Sequence, residues 1–310
     1  MTAYPTSENI YLIGNGVIAK ALAVTLTLNG KNVILLRGSV DNQPDYTETI
    51  EVETGEQTLK AEVVISTLSS HSDMDGIILL TNKSFGNEKL AEKLKNKARH
   101  CPVVFLQNGL NIENSFIERG FKELYRCVLF VTSQSVSETN VRFRRAATSP
   151  VGIVTGSSEG LQHIISQIST DVFPFIAEEN IQEVLWKKVI INCVANSICP
   201  LLEIDNGIFH RNESARAIAR TVIRECVAVA AQQGVHLEED DVLDYMVNIS
   251  KISDGQKIST YQDILNGHET EIETLNLAIS KIAKASGNLE VPITTLLGEM
   301  IKIKADLFRK

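Results

Sequence analysis

Residues 9–28 read NIYLIGNGVIAKALAVTLTL, and this stretch decides the fold. A short apolar run is followed at once by Gly14, Asn15, Gly16, Val17, Ile18 and Ala19, after which apolar residues recur at helical spacing through Ala21, Leu22, Val24, Leu26 and Leu28. Strand, glycine turn, helix is the context in which a GxGxxA pattern carries meaning. Gly14 permits a tight turn, Gly16 lets backbone approach a pyrophosphate, and Ala19 is small enough for close helix packing. The alternative is an ordinary strand-to-helix turn, since glycines make those too. The helix pattern stops at Asn29-Gly30 and a second strand, 32–36 (NVILL), follows, which favours dinucleotide binding.

Where that second strand ends, a site built for NAD offers an acid to the ribose 2′-hydroxyl. This chain offers Arg37, then Gly38 and Ser39. A guanidinium suits a 2′-phosphate because it forms bidentate, charge-assisted hydrogen bonds, so NADP(H) is expected over NAD(H). A surface arginine is the plain alternative. Further strand-like runs at 49–54, 58–64, 77–80, 103–106, 129–132 and 150–155 complete an α/β half. Lys83 and Asn108 each follow one of these runs closely, at the strand ends where open α/β sheets bind ligands. Asn108-Gly109 read alone is a turn signal.

After Asp171-Val172-Phe173-Pro174 the character changes, and from Asn180 onward nearly everything reads as helix: 182–196, 215–233, 239–250 and 269–285. The expected organisation is an N-terminal Rossmann-like domain, 1–178, and an all-helical domain, 179–310, with no long linker. The first helix of the second half contains WKKVIINCVAN at 186–196, where Lys188, Asn192 and Asn196 recur every four residues on an otherwise apolar segment. That spacing lines up a cation and two amides as one stripe. Such groups need partners when buried, and a polar ligand is one. A half-exposed helix with chance polar spacing is the other reading.

Composition narrows the function classes. The net charge is −8 and no dense run of Lys and Arg occurs, which argues against a nucleic-acid surface. The start shows no basic region followed by an apolar one, and the longest uncharged apolar run, 189–202, falls short of the roughly 20 residues that span a bilayer. A cytoplasmic protein without membrane or nucleic-acid partners is expected. The five cysteines are scattered and read as buried thiols. The six histidines lack HxH or HExxH spacing, so no metal site is expected. No GxSxG elbow occurs. Several long apolar helices leave assembly open between a single chain and a homodimer.

GNGVIA at 14–19, Lys83, QNGL at 107–110, WKKVIINCVAN, Asn206-Gly207, and Ser259 with HETEIE at 268–273 occur in order along nearly the whole chain. In this combination the sequence resembles the ketopantoate reductase (2-dehydropantoate 2-reductase) family. The resemblance implies a Rossmann domain joined to a helical domain, with the active site in the cleft between them. It implies NADPH-dependent reduction of a 2-oxo acid, with ketopantoate in pantothenate and coenzyme A synthesis as the expected substrate. Lys188 matches the catalytic lysine, and Glu271 a glutamate that contacts the cofactor and orders that lysine. Asn192, Asn196, Asn206 and Ser259 match substrate-binding residues; residues 14–19, Arg37, Lys83 and Asn108 match cofactor positions, with Ser135 a further cofactor candidate.

Two departures bear on substrate identity. The helix runs on as Ser197-Ile198-Cys199-Pro200-Leu201-Leu202 where the family tends to a Thr-Ala-Leu-like segment, and Pro200 is expected to end or kink it. Residues 133–140 read SQSVSETN where relatives often carry a histidine and basic residues. Two other readings stay open: the same fold acting on a different 2-oxo acid, and an NADPH-binding sensor without catalysis.

Overall fold

A computed structural model describes residues 8–38, 40–287 and 289–309; Ser39 and the first seven residues, on which the reading of the N-terminus rests, lie outside them. The chain forms two compact units. One comprises residues up to Gln107 together with Glu113–Ile181, and the other Asn108–Ile112 together with Gln182 onward. The sequence reading divides the chain once, after 178. The structure also assigns the short segment after the 103–105 strand to the helical unit, because Leu110 N–H donates to the Thr274 carbonyl at 2.8 Å.

In the first unit the order is β1 (Asn9–Ile13), α1 (Val17–Leu28), β2 (Asn32–Arg37), β3 (Tyr46–Glu53), β4 (Thr58–Thr67), β5 (Gly76–Leu80), α2 (Asn87–Leu94), β6 (Val103–Phe105), α3 (Asn114–Glu118), β7 (Leu124–Cys127), β8 (Val131–Ser135), β9 (Asn140–Arg145), β10 (Ser149–Thr155), α4 (Ser158–Ile168) and β11 (Phe175–Ala177). These strands make one sheet in the order β11-β10-β7-β6-β5-β1-β2-β4-β3-β9-β8. From β7 through β6, β5, β1 and β2 to β4 every pairing is parallel. From β1 the chain winds outward through β2 to β4, then returns to β5 on β1's other side and winds out to β7. The reversal lies between β1 and β5, and ligands bind at such switch points, beyond the strands' C-terminal ends. β5 is buried along its whole length, as a strand covered on both faces must be. α1 is buried from Ala19 to Leu26, and its Thr25 hydroxyl is satisfied by the Ala21 carbonyl at 3.0 Å.

Some expected elements differ. The lysine- and glutamate-rich stretch 87–99 reads as one amphipathic helix, but the helix ends at Leu94, and Lys97 instead caps loop carbonyls of Leu68 at 3.2 Å and His71 at 2.6 Å. The 129–132 run starts two residues later as β8. β7 was missed because LYRC carries an arginine; yet Arg126 is fully buried, paired with Glu113 at 2.7 Å and donating to the Gln107 carbonyl at 3.1 Å. β9 was missed although it alternates, with Val141 and Phe143 buried and Arg142 and Arg144 exposed.

The second unit is helical: α5 (Ile181–Leu202), α6 (Ile208–Arg211), α7 (Glu213–Gln232), α8 (Glu239–Ile252), α9 (Ser259–Leu265), α10 (Asn276–Ala285) and α11 (Pro292–Phe308), with Ile181 itself counted in the first unit. The 269–285 helix is really a loop, a 3-10 turn at Ile272–Thr274, and α10. Leu275, at φ −111° and ψ −108°, separates the last two.

Pro200 does not end α5 where expected. The helix continues to Leu202, because a proline so near the C-terminus deletes a single hydrogen bond, that to the Asn196 carbonyl. Termination comes from a Schellman motif instead. Ile204 N–H reaches the Cys199 carbonyl at 3.0 Å, Glu203 N–H reaches Pro200 at 3.4 Å, and Glu203 takes the left-handed conformation at φ +56° usually left to glycine. Among the described residues α5 is the one helix long and apolar enough to cross a bilayer, but 72% of its apolar window is buried inside the fold, as befits a core helix.

Candidate active site

The glycine turn is wedged between neighbouring strand ends. Gly14 N–H donates to the Leu36 carbonyl at 3.0 Å, and the Ile13 carbonyl accepts from both Thr81 and Asn82 N–H at 3.0 Å. Gly14 has φ +126°, and a Cβ there would lie 2.7 Å from the Thr81 hydroxyl and 2.8 Å from the Asn82 nitrogen. No other residue fits. Gly16 is the opposite case: a Cβ on it would meet nothing within 4 Å. It caps α1, whose first turn has no side-chain cap and no acid, so the N–H groups there are open to an anion. Asn15 and Gly16 are exposed, Val17 and Ile18 half-buried, and Ala19 fully buried against the sheet.

Arg37 is the last residue of β2. Its Nη1 donates to Gln43 Oε1 at 2.8 Å, and the guanidinium sits 5.2 Å from the centre of the Tyr46 ring. Nε and Nη2 are shielded from solvent yet have no hydrogen-bond partner. Two shielded donors on a fixed cation are what a phosphate would satisfy. Gln43 and Tyr46 were not singled out from sequence, since a polar loop and a strand start give no hint that they converge on Arg37. Together, the open space at Gly16, the uncapped α1 terminus and the Arg37 fork fit a dinucleotide.

Lys83 is half-buried just past β5, at the start of a 3-10 turn. Ser135 is less well placed. It is exposed near the end of the edge strand β8 and spends its hydroxyl on the Ser137 carbonyl at 2.8 Å, whereas Ser133 Oγ reaches the Val17 carbonyl in α1's first turn at 3.4 Å.

In the second unit, Lys188 and Asn192 on α5 are half-buried and Asn196 is buried, with its Oδ1 unpartnered. An unpaired buried acceptor costs about 1–3 kcal/mol, so this stripe ends in an atom that wants a donor. Asn206, in the loop between α5 and α6, repeats the pattern: its Nδ2 donates to Ser253 Oγ at 2.7 Å while Oδ1 is buried and unpartnered. Asn206 N–H donates to the Gln256 carbonyl at 2.9 Å, three residues before Ser259, which is exposed at the first turn of α9. Glu271 is buried and accepts from Asn108 Nδ2 at 3.1 Å.

Gly109, at φ +105°, lies so close to Thr274 that a Cβ would sit 2.2 Å from its hydroxyl, so the Asn108-Gly109 pair is a contact as well as a turn. Asn276 was not anticipated: fully buried at the start of α10, it donates to the Cys193 carbonyl of α5 at 3.1 Å and has an unpartnered Oδ1. Its sequence setting, NLAIS, reads as an ordinary helix start. No cluster of three or more metal-binding side chains occurs among the described residues.

Sequence comparisons bear on both units. The family profile described as "Ketopantoate reductase PanE/ApbA" matches residues 10–156, and that described as "Ketopantoate reductase PanE/ApbA C terminal" matches 180–305. A 2-dehydropantoate 2-reductase of Pyrococcus abyssi is 26% identical over 302 residues, covering 96% of this chain and 98% of its own length. Among solved structures, a ternary complex of D-mandelate dehydrogenase with NADH and anilino(oxo)acetate shares the fold at a TM-score of 0.83 and 21% identity, covering 97% of this chain and 99% of that one. A dimeric ketopantoate reductase from Staphylococcus aureus does so at 0.80 and 19%, with the same coverage. The chain therefore belongs to the ketopantoate reductase family and is an oxidoreductase built to bind a nicotinamide dinucleotide.

Proposed function

We propose that this oxidoreductase uses NADPH to reduce a 2-oxo acid to the 2-hydroxy acid, with 2-dehydropantoate as substrate and pantoate as product, in the synthesis of pantothenate and coenzyme A. The observation that carries the reading is the α5 stripe of Lys188, Asn192 and Asn196, whose last member is a buried amide with an unsatisfied acceptor. Residues 14–19, Arg37, Lys83 and Asn108 would hold the cofactor, with the pyrophosphate at the α1 N-terminus and the 2′-phosphate on Arg37. Bound there, the cofactor supplies a hydride.

Lys188, as an ammonium, stabilises the negative charge growing on the substrate's carbonyl oxygen and delivers the proton to it, a role worth about 10²–10⁴-fold. Glu271, fixed by Asn108, orients that lysine and the cofactor ribose. Asn192, Asn196, Asn206 and Ser259 hold the carboxylate and hydroxyl oxygens without adding charge. We place the enzyme in the cytoplasm, a reading that suits its five free, buried cysteines. Assembly as a homodimer follows the precedent of the S. aureus relative.

A second substrate reading has its own support. The D-mandelate dehydrogenase of the same fold is described with an anilino-substituted oxo acid and NADH, and residues 197–202 depart from the family pattern. The test is a panel of 2-oxo acids with NADPH and NADH, with Lys188→Ala as control. 2-Dehydropantoate with NADPH is expected to have much the highest kcat/KM, and Lys188→Ala to abolish turnover while still binding NADPH. A different preferred acid moves the substrate assignment; unchanged kcat in Lys188→Ala ends the mechanism.

A further inference from the structure

The loop carrying Asn206 is held more tightly than a surface turn between helices requires. Asp205 Oδ1 accepts from the backbone N–H of Gly207 at 2.8 Å and of Gly255 at 3.1 Å. Arg211 then bridges two carboxylates, reaching both oxygens of Asp205 at 2.8 Å and Asp254 Oδ1 at 2.7 Å. The two acids close over Gly207 so tightly that a Cβ there would lie 1.9 Å from Asp254 Oδ1 and 2.8 Å from Asp205 Oδ1. Any side chain at 207 would have to displace these carboxylates and so loosen the clamp. The loop backbone is tied as well: Asn206 N–H to the Gln256 carbonyl at 2.9 Å, and its own carbonyl to Ser250 Oγ at 2.8 Å.

What remains is which way the Asn206 amide faces, and Ser253 decides it. A serine hydroxyl has one proton. Ser253 donates that proton to the Ile249 carbonyl one turn back, at 2.6 Å, so toward Asn206 it can only accept. The amide must therefore turn its Nδ2 to Ser253, at 2.7 Å, and present Oδ1 on the other side. That oxygen is buried and has no partner.

Resting on the reading of Asn206 as a substrate contact, we propose that Ser253 is a positioning residue that fixes the polarity of the Asn206 amide, so that the site offers the substrate an acceptor, with the Asp205–Arg211–Asp254 clamp holding the loop in register. Ser253 touches no reacting atom. It discriminates between substrates through Asn206, favouring those that bring a donor, such as a hydroxyl, to that position. Without the hydroxyl the amide has no reason to prefer one orientation, and half of its states oppose the substrate's donor with an N–H.

The test compares Ser253→Val with Ser253→Thr, two side chains of nearly equal shape that differ in the hydroxyl, each in wild-type and Asn206→Ala backgrounds. The preferred oxo acid is the varied substrate, and Tm and the NADPH dissociation constant are measured alongside. Ser253→Val is expected to raise KM for the oxo acid about tenfold with kcat within twofold and NADPH affinity unchanged. Ser253→Thr should stay within twofold of wild type, and Ser253→Val should add nothing in the Asn206→Ala background, since a residue acting only through Asn206 cannot act once it is gone. Should Ser253→Val fail to fold, Ser253→Ala takes its place in the same comparison. An additive loss, a fall in kcat and NADPH affinity together, or a wild-type KM in Ser253→Val while Asn206→Ala is impaired would overturn the role of Ser253 and leave the reductase reading intact. A wild-type KM in Asn206→Ala would overturn both the role and the assignment of Asn206 on which it rests.

Discussion

Asn108 Nδ2 donates to Glu271 Oε2 at 3.1 Å, joining residues 163 positions apart within the helical unit. One follows a strand of the Rossmann sheet and the other precedes a 3-10 turn, and under the proposed function both serve the cofactor. A carboxylate accepting from an amide in a buried setting is held in one orientation.

If this pair acts as a unit, its members should not contribute independently. Asn108→Ala and Glu271→Gln are each expected to weaken NADPH binding or lower kcat, and the double variant to lose about 1 kcal/mol less than the two single losses combined. A double-mutant cycle on kcat/KM and on NADPH affinity measures it; strict additivity would show the contact to be incidental.

Arg37 should discriminate between cofactors. In the proposed binding mode its two shielded, unpartnered donors meet the 2′-phosphate of NADPH, where NADH offers only a 2′-hydroxyl. Hydrogen bonds to charged groups contribute about 1.5–3 kcal/mol, so Arg37→Ala should weaken NADPH by about 10- to 100-fold and NADH by less than threefold. Fluorescence titration of both cofactors checks this, and equal losses would make Arg37 a residue of local structure alone.

Glu225 on α7 does a capping residue's work at long range. Its carboxylate accepts from Ile293 N–H at 3.0 Å, Thr294 N–H at 2.7 Å and the Thr294 hydroxyl at 2.6 Å, serving the first turn of α11, where Val291 has no side chain able to cap. Glu225→Ala should cost about 2 kcal/mol and lower Tm by several degrees without changing KM. Glu225→Gln should recover roughly half, since its amide oxygen still accepts.

The clamp beside Asn206 predicts an acid dependence. Hydrogen bonds from Arg211, helped by the N–H groups of Gly207 and Gly255, hold the Asp205 carboxyl down at about 2. A carboxyl depressed in the folded state stabilises above its unfolded value near 4, and that contribution disappears as pH falls through 2. The stability gap between wild type and Asp205→Asn, followed by urea midpoints from pH 5 to pH 2, should therefore close across the lower half of that range. A gap that stays constant would mean the clamp works by shape and not by charge.

Sequence by itself determined the elements whose cause is local. The GNGVIA turn is legible because only glycine tolerates Gly14's φ and contacts, and α1 because its apolar residues recur at helical spacing. The Lys188-Asn192-Asn196 stripe is legible because helical periodicity needs no tertiary partner to be seen. Misreadings arose where a distant group changed the local rule. β7 carries an arginine that reads as surface until Glu113 and the Gln107 carbonyl pair it. The 269–285 stretch is broken at Leu275, and the part before the break is where Gly109 packs on Thr274 and Leu110 N–H meets the Thr274 carbonyl.

Which way an amide faces could be decided only by tertiary structure. Asn206 is visible in the sequence as a polar residue before a glycine, but its Oδ1 is turned away from Ser253 because that serine, far along the chain, has already given its one proton to Ile249. Periodicity and turn chemistry act between near neighbours and can be read along a chain. Hydrogen-bond polarity is set by partners that meet only once the chain has folded.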